Sequence, residues 1–88
     1  MKGIVVIPFH DGDGRKYIEI RISSFNIIKL KIPFRYNRIM CTTEGLKTIQ
    51  ELIKNDEIEF DYEIKKWNGV ETNILTYCKY ANNNFTTG

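Results

Sequence analysis

Large apolar residues, isoleucine above all, recur at every second position over three stretches of this 88-residue chain. Ile18, Ile20 and Ile22 alternate with Tyr17, Glu19 and Arg21; Ile28, Leu30, Ile32 and Phe34 with Lys29, Lys31 and Pro33; Ile58, Phe60, Tyr62 and Ile64 with Glu57, Glu59, Asp61, Glu63 and Lys65. A period of two places one set of side chains in a core and the other in water, which demands strands with one buried face. Trp67-Asn68-Gly69-Val70 adds a two-residue hairpin signal, because an Asn-Gly turn needs positive φ at both central positions.

Around these fixed points the other elements fall into order. Ile4 to Phe9 is β-branched and reads as a first strand; it is too short, and Pro8 too disruptive, for the apolar core of a signal sequence. His10-Asp11-Gly12-Asp13-Gly14-Arg15 is a turn. Lys16–Ile22 and Ile28–Phe34 form a hairpin, expected to pair Ile22 with Ile28 and Ile20 with Leu30. That register sets Glu19 opposite Lys31 and Arg21 opposite Lys29, the second a repulsive pair. A helix is expected after Cys41, capped by Thr42 or Thr43, with Leu46, Ile49, Leu52 and Ile53 as its apolar stripe and Asn55 ending it in the left-handed conformation. The strand over 58–65 and one over Val70–Tyr80 follow, with Phe60 opposite Tyr77 and Tyr62 opposite Leu75. Residues 81–88 read as a polar tail.

The order β-β-β-α-β-β, across residues 1–80, resembles that of the OB-fold, a small five-stranded barrel with one helix between strands three and four. The resemblance is one of element order and not of motif. An α+β open sheet and a β-grasp variant accept the same string. The chain is long enough for one domain and one core. No apolar run approaches the length needed to cross a bilayer, so no membrane association and a cytoplasmic location, in a host cell if the source is viral, are expected.

Charge is segregated beneath a net charge of +2. Arg15, Lys16, Arg21, Lys29, Lys31, Arg35 and Arg38 cluster in one half of the chain with Glu19 as the lone acid among them, whereas Glu57, Glu59, Asp61 and Glu63 occupy one strand. Basic residues alternating on two adjacent strands form a face that can hold a polyanion. Tyr17, Tyr36 and Trp67 supply rings on which bases can stack, and Phe25 sits at a hairpin tip. These residues predict a non-catalytic module for single-stranded DNA or RNA, of a kind that a virus or mobile element could encode. The alternative is a protein-interaction module, a phage or plasmid inhibitor whose Glu57, Glu59, Asp61 and Glu63 imitate phosphates toward a basic host protein. The same acids could instead guard a strand edge. A homodimer through the fifth strand is also expected, because Ile74 and Cys78 would lie on its outer face.

Catalytic and metal signatures are missing from the sequence. Glu63-Ile64-Lys65 has the Glu-x-Lys spacing of some nucleases but lacks the further aspartate and the larger core that chemistry requires. Asp11-Gly12-Asp13-Gly14 begins like a calcium loop, yet Ile22 stands where its closing acid should be. His10 is the sole histidine, and Cys41 and Cys78 are far apart, so no zinc site or cofactor is expected. A 41–78 disulfide requires that their two strands meet.

Overall fold

In the computed structural model the described residues are 1–9, 17–33, 39–41 and 46–81, with Trp67 described by its backbone alone. They form six strands: β1 (Lys2–Ile7), β2 (Tyr17–Arg21), β3 (Ile27–Lys31), β4 (Met40–Cys41), β5 (Glu57–Trp67) and β6 (Val70–Tyr80). The sheet order is β3-β2-β1-β5-β6-β4, and a further β3–β6 pairing closes five of the strands into a barrel. Antiparallel meander β1-β2-β3, antiparallel β1–β5 and parallel β3–β6 together are an OB-like barrel, to which β4 adds one short extra strand. Among the described residues no helix is long and apolar enough to cross a membrane.

The alternating isoleucines do what their period requires. Val5, Ile18, Ile20, Leu30, Ile58, Phe60 and Leu75 are fully buried, and Phe9, Ile32, Ile39, Leu46, Ile49 and Leu52 complete the core with Cys78. Gly3 sits where β1 crosses most closely over its neighbours. A Cβ there would collide with the Ile20 side chain and press on the Arg21 carbonyl and the Phe60 ring.

Both hairpins differ from expectation in register. Ser23-Ser24-Phe25 closes a three-residue loop in which the Ile22 N–H donates to the Asn26 carbonyl at 2.9 Å. This tighter loop shifts the β2–β3 pairing by two residues, which preserves the faces but changes every partner. Ile20 faces Ile28, Glu19 faces Lys29, Tyr17 faces Lys31 and Arg21 faces Ile27, so the expected Arg21–Lys29 repulsion is not formed. In β5–β6 the Asn-Gly turn forms as expected, with φ of 52° at Asn68 and 82° at Gly69. Tyr62 faces Leu75 as expected, but Thr76 is an extra residue beyond it, so Phe60 faces Cys78 instead of Tyr77. The bulge also turns Cys78 into the core, where it is 0% exposed, and not onto the outer face.

Among the described residues 46–55 the expected helix is replaced by a 3-10 turn, Ile49–Glu51; Thr42 and Thr43 lie outside the described residues. Thr48 is extended, and side chains satisfy donors a helix would have used. Glu51 accepts from the Lys47 N–H at 3.1 Å, and Asp56 from the Ile53 N–H at 2.9 Å. Such local bonds compete with helical ones. Leu46, Ile49 and Leu52, three apart, still reach the core, while Ile53 is 64% exposed. Asn55 does adopt positive φ, 79°, but it turns the chain into β5 and ends no helix.

Met40–Cys41 pairs with Tyr77 and Cys78 of β6 in parallel, so the two cysteine strands meet with Cys41 beside Cys78. Both thiols are free. Strand β5 outruns the barrel: its inward-facing Ile64 is 61% exposed, because the far end of the β5–β6 hairpin projects as a two-stranded arm.

Candidate nucleic-acid interface

The outer face of β2 and β3 is built by the pleat alone. Tyr17, Glu19 and Arg21 on one strand lie beside Lys31, Lys29 and Ile27 on the other. Arg21, Lys29 and Lys31 are exposed, Tyr17 is on the border of exposure, and Glu19 is half-buried. The Lys29 ammonium lies over the Tyr17 ring, 4.5 Å from its centroid. The face therefore joins one aromatic plane to three cations and one acid.

Beside it the barrel has an open seam. Strands β3 and β6 run parallel but form one described rung, Lys31 to Ile74. Toward the start of both strands lies an open groove of about 520 Å³ between them, walled by Tyr17, Ile27 and Lys29 on one side and Val70, Thr72 and Asn73 on the other. Ile27 and Val70 are 55% and 63% exposed, so the groove mixes apolar walls with polar groups. A second groove, of about 480 Å³, lies on the other flank of the hairpin against Ile4, Arg21 and Ser23. Phe25, at the hairpin tip, is 95% exposed and closes nothing.

Of the residues singled out in the sequence, Tyr17, Arg21, Lys29 and Lys31 come together on this face. His10, Arg15, Lys16, Arg35, Tyr36 and Arg38 lie outside the described residues, as does the Trp67 side chain. The apolar walls Ile27 and Val70 escaped the sequence reading. A signal existed for the first: Ile27 and Ile28 are adjacent, so in a strand one of them must face water.

The acidic strand β5 lies across β1 from the basic face. Three of its outward carboxylates have a cation nearby, in solvent-accessible pairs. Glu59 meets Lys79 at 3.3 Å, Asp61 is 3.8 Å from the Met1 ammonium, and Glu63 is 4.0 Å from Lys65.

At the opposite end of β6, burial pushes the Cys78 thiol up to about 12, with Cys41 and Asp56 adding to the shift. Burial and the nearby Glu51 raise Cys41 in the same direction. Both thiols keep their protons at neutral pH.

No family model matches the chain, and neither a curated protein nor a solved structure does.

Proposed function

We propose that the protein binds single-stranded nucleic acid, without chemistry, along the β2–β3 face and the adjoining seam. The observation that carries this reading is the Lys29 ammonium over the Tyr17 ring at the rim of an open groove, with Lys31 opposite Tyr17 and Arg21 further along the same face. Single strands need cations along a backbone track and ring faces for bases, and an OB-like barrel offers both on this surface. The groove's polar groups, Asn26, Thr72 and Asn73, lie within it beside apolar Ile27 and Val70, a suitable lining for an unstacked base. Strand β5 makes a poorer phosphate mimic than its sequence suggests, since cations already neighbour Glu59, Asp61 and Glu63.

Fluorescence anisotropy with labelled DNA and RNA oligonucleotides over a salt series tests the proposal. Binding at low salt that weakens as salt rises, and that Arg21→Glu, Lys29→Glu or Lys31→Glu reduces in a folded protein, is the expected result. No anisotropy change for either polymer at low salt overturns it.

A further inference from the structure

We infer that the protein pairs with a second copy of itself, β5 against β5, antiparallel about a two-fold axis at Ile64. The surface is the edge of β5 that β1 leaves uncovered. Strand β1 pairs with Glu57, Ile58 and Glu59, and Phe60 exchanges both backbone bonds with Met1, at 2.7 and 2.8 Å. From Asp61 to Trp67 no described strand lies on that edge.

Backbone direction alternates with the same period as side chains. Phe60 directs its N–H and C=O toward β1, so Tyr62, Ile64 and Lys66 direct theirs to the open edge, while Glu63 and Lys65 face β6. Among the described residues nothing pairs with the donors and acceptors of these three. The midpoint of this edge, between Asp61 and Trp67, is Ile64.

Side chains select the partner and the register. A two-fold at Ile64 sets Glu63 opposite Lys65 of the second copy, and Lys65 opposite its Glu63. These two positions form the close, non-hydrogen-bonded pairs of the new ladder. Shifting the axis to Glu63 places glutamate against glutamate; shifting it to Lys65 places lysine against lysine. Parallel pairing in register makes both clashes at once. Like charges directly opposite are unfavourable, so the same two residues that repel other edges admit this one. Glu63 and Lys65 are exposed, with 62% and 64% of their side-chain surface in water, and each is only 4.0 Å from the other, a weak pair in one chain that gains a facing partner in two. Ile64, 61% exposed, meets its own copy across the axis. The contact joins two arms into a four-stranded sheet and leaves the seam groove, on the β6 edge, free in each copy.

Sedimentation velocity over a concentration series extending to NMR concentrations is the test. A reversible monomer–dimer equilibrium is expected for the natural chain. Glu63→Lys or Lys65→Glu alone creates two like-charge pairs and should raise the dissociation constant about tenfold. The double swap Glu63→Lys with Lys65→Glu restores both opposite pairs and should restore the dimer. Hydrogen exchange of the natural chain supplies a check without substitutions: the amides of Tyr62, Ile64 and Lys66 should slow with concentration, and those of Glu63 and Lys65 should not. A monomer at every concentration, a dimer indifferent to the single changes, a folded double swap that stays monomeric, or exchange independent of concentration each overturns the inference.

Discussion

Lys29 covers the Tyr17 ring from a diagonal position: its partner straight across the ladder is Glu19, and that of Tyr17 is Lys31. The two-residue shift of the hairpin register creates this contact. With Lys29 opposite Arg21, as the alternating pattern alone suggested, Glu19 would have faced Lys31. The observed pairing instead gives Lys29 a carboxylate across the strand and a ring beside it. A cation–π contact at an exposed site contributes about 0.5–1 kcal/mol, enough to hold a flexible ammonium at the groove's rim.

Tyr17 and Lys29 should consequently fail in different ways when substituted. Tyr17→Ala removes a stacking plane and is expected to cost about 1–3 kcal/mol of oligonucleotide affinity at every salt concentration. Lys29→Met removes a phosphate partner and should flatten the plot of log affinity against log salt by about 0.7. Anisotropy titrations over a salt range measure both. Identical slopes for the two variants would show that ring and cation do not divide the ligand between them.

Phe25 is 95% exposed at the tip of the β2–β3 hairpin, so it holds nothing in place. Phe25→Ala should leave the urea midpoint within about 0.5 kcal/mol of the parent, the usual range for surface changes. If the tip reaches a bound strand, the same variant loses up to about 1–3 kcal/mol of affinity. A large loss of stability would mean that the ring packs against the barrel after all.

The barrel was legible because its strands are bound to a period of two, and burying isoleucine leaves one choice of face. Register was less legible. The sequence offers no local rule that chooses a three-residue loop over a five-residue one between β2 and β3, since both keep Ile18, Ile20 and Leu30 inside. The Asn-Gly turn did set the start of the β5–β6 ladder through Tyr62 and Leu75, but the Thr76 bulge leaves no comparable mark, and it reversed the side of Cys78. The helix misled for a different reason: Leu46, Ile49 and Leu52 are spaced for a helix of either kind, and the carboxylates of Glu51 and Asp56 take backbone donors in competition with helical bonds. The basic face could be read as far as Tyr17, Arg21, Lys29 and Lys31 because alternation places them together. The seam groove could not, for it depends on where two distant strands separate.

Gly3 tests the closeness of β1 to the strands it joins. A Cβ there would stand 3.0 Å from the Arg21 carbonyl oxygen and 3.3 Å from the Phe60 ring, besides colliding with Ile20. Backbone can give little on either side, since β1 pairs with β2 and β5 together. Gly3→Ala should destabilise by about 1–3 kcal/mol, the range for overpacking, and Gly3→Val by more. Chemical denaturation measures the change; an alanine variant as stable as its parent would contradict the crossing described for these strands.

Alkaline pH should unfold the protein through the end of the barrel where β4 meets β6. Cys78 is pushed up to about 12 by burial, and burial likewise raises Cys41 and Tyr80. Below the ordinary thiol pKa of about 8.5, folded and unfolded chains both hold the Cys78 proton and stability is complete. Above it the unfolded chain releases that proton while the folded chain retains it, so stability falls with rising pH until about 12, by up to about 1.4 kcal/mol per pH unit. Urea midpoints measured from neutral pH upward should decline from about pH 8.5. Cys78→Val, which keeps an apolar side chain of similar size, removes the titrating group and should make the decline shallower. If the natural chain and the valine variant lose stability in parallel, the Cys78 proton is not what alkali removes. Alkylation gives a second reading of the same burial: Cys78 should react on the timescale of unfolding, and Cys41, which is partly exposed, well before it.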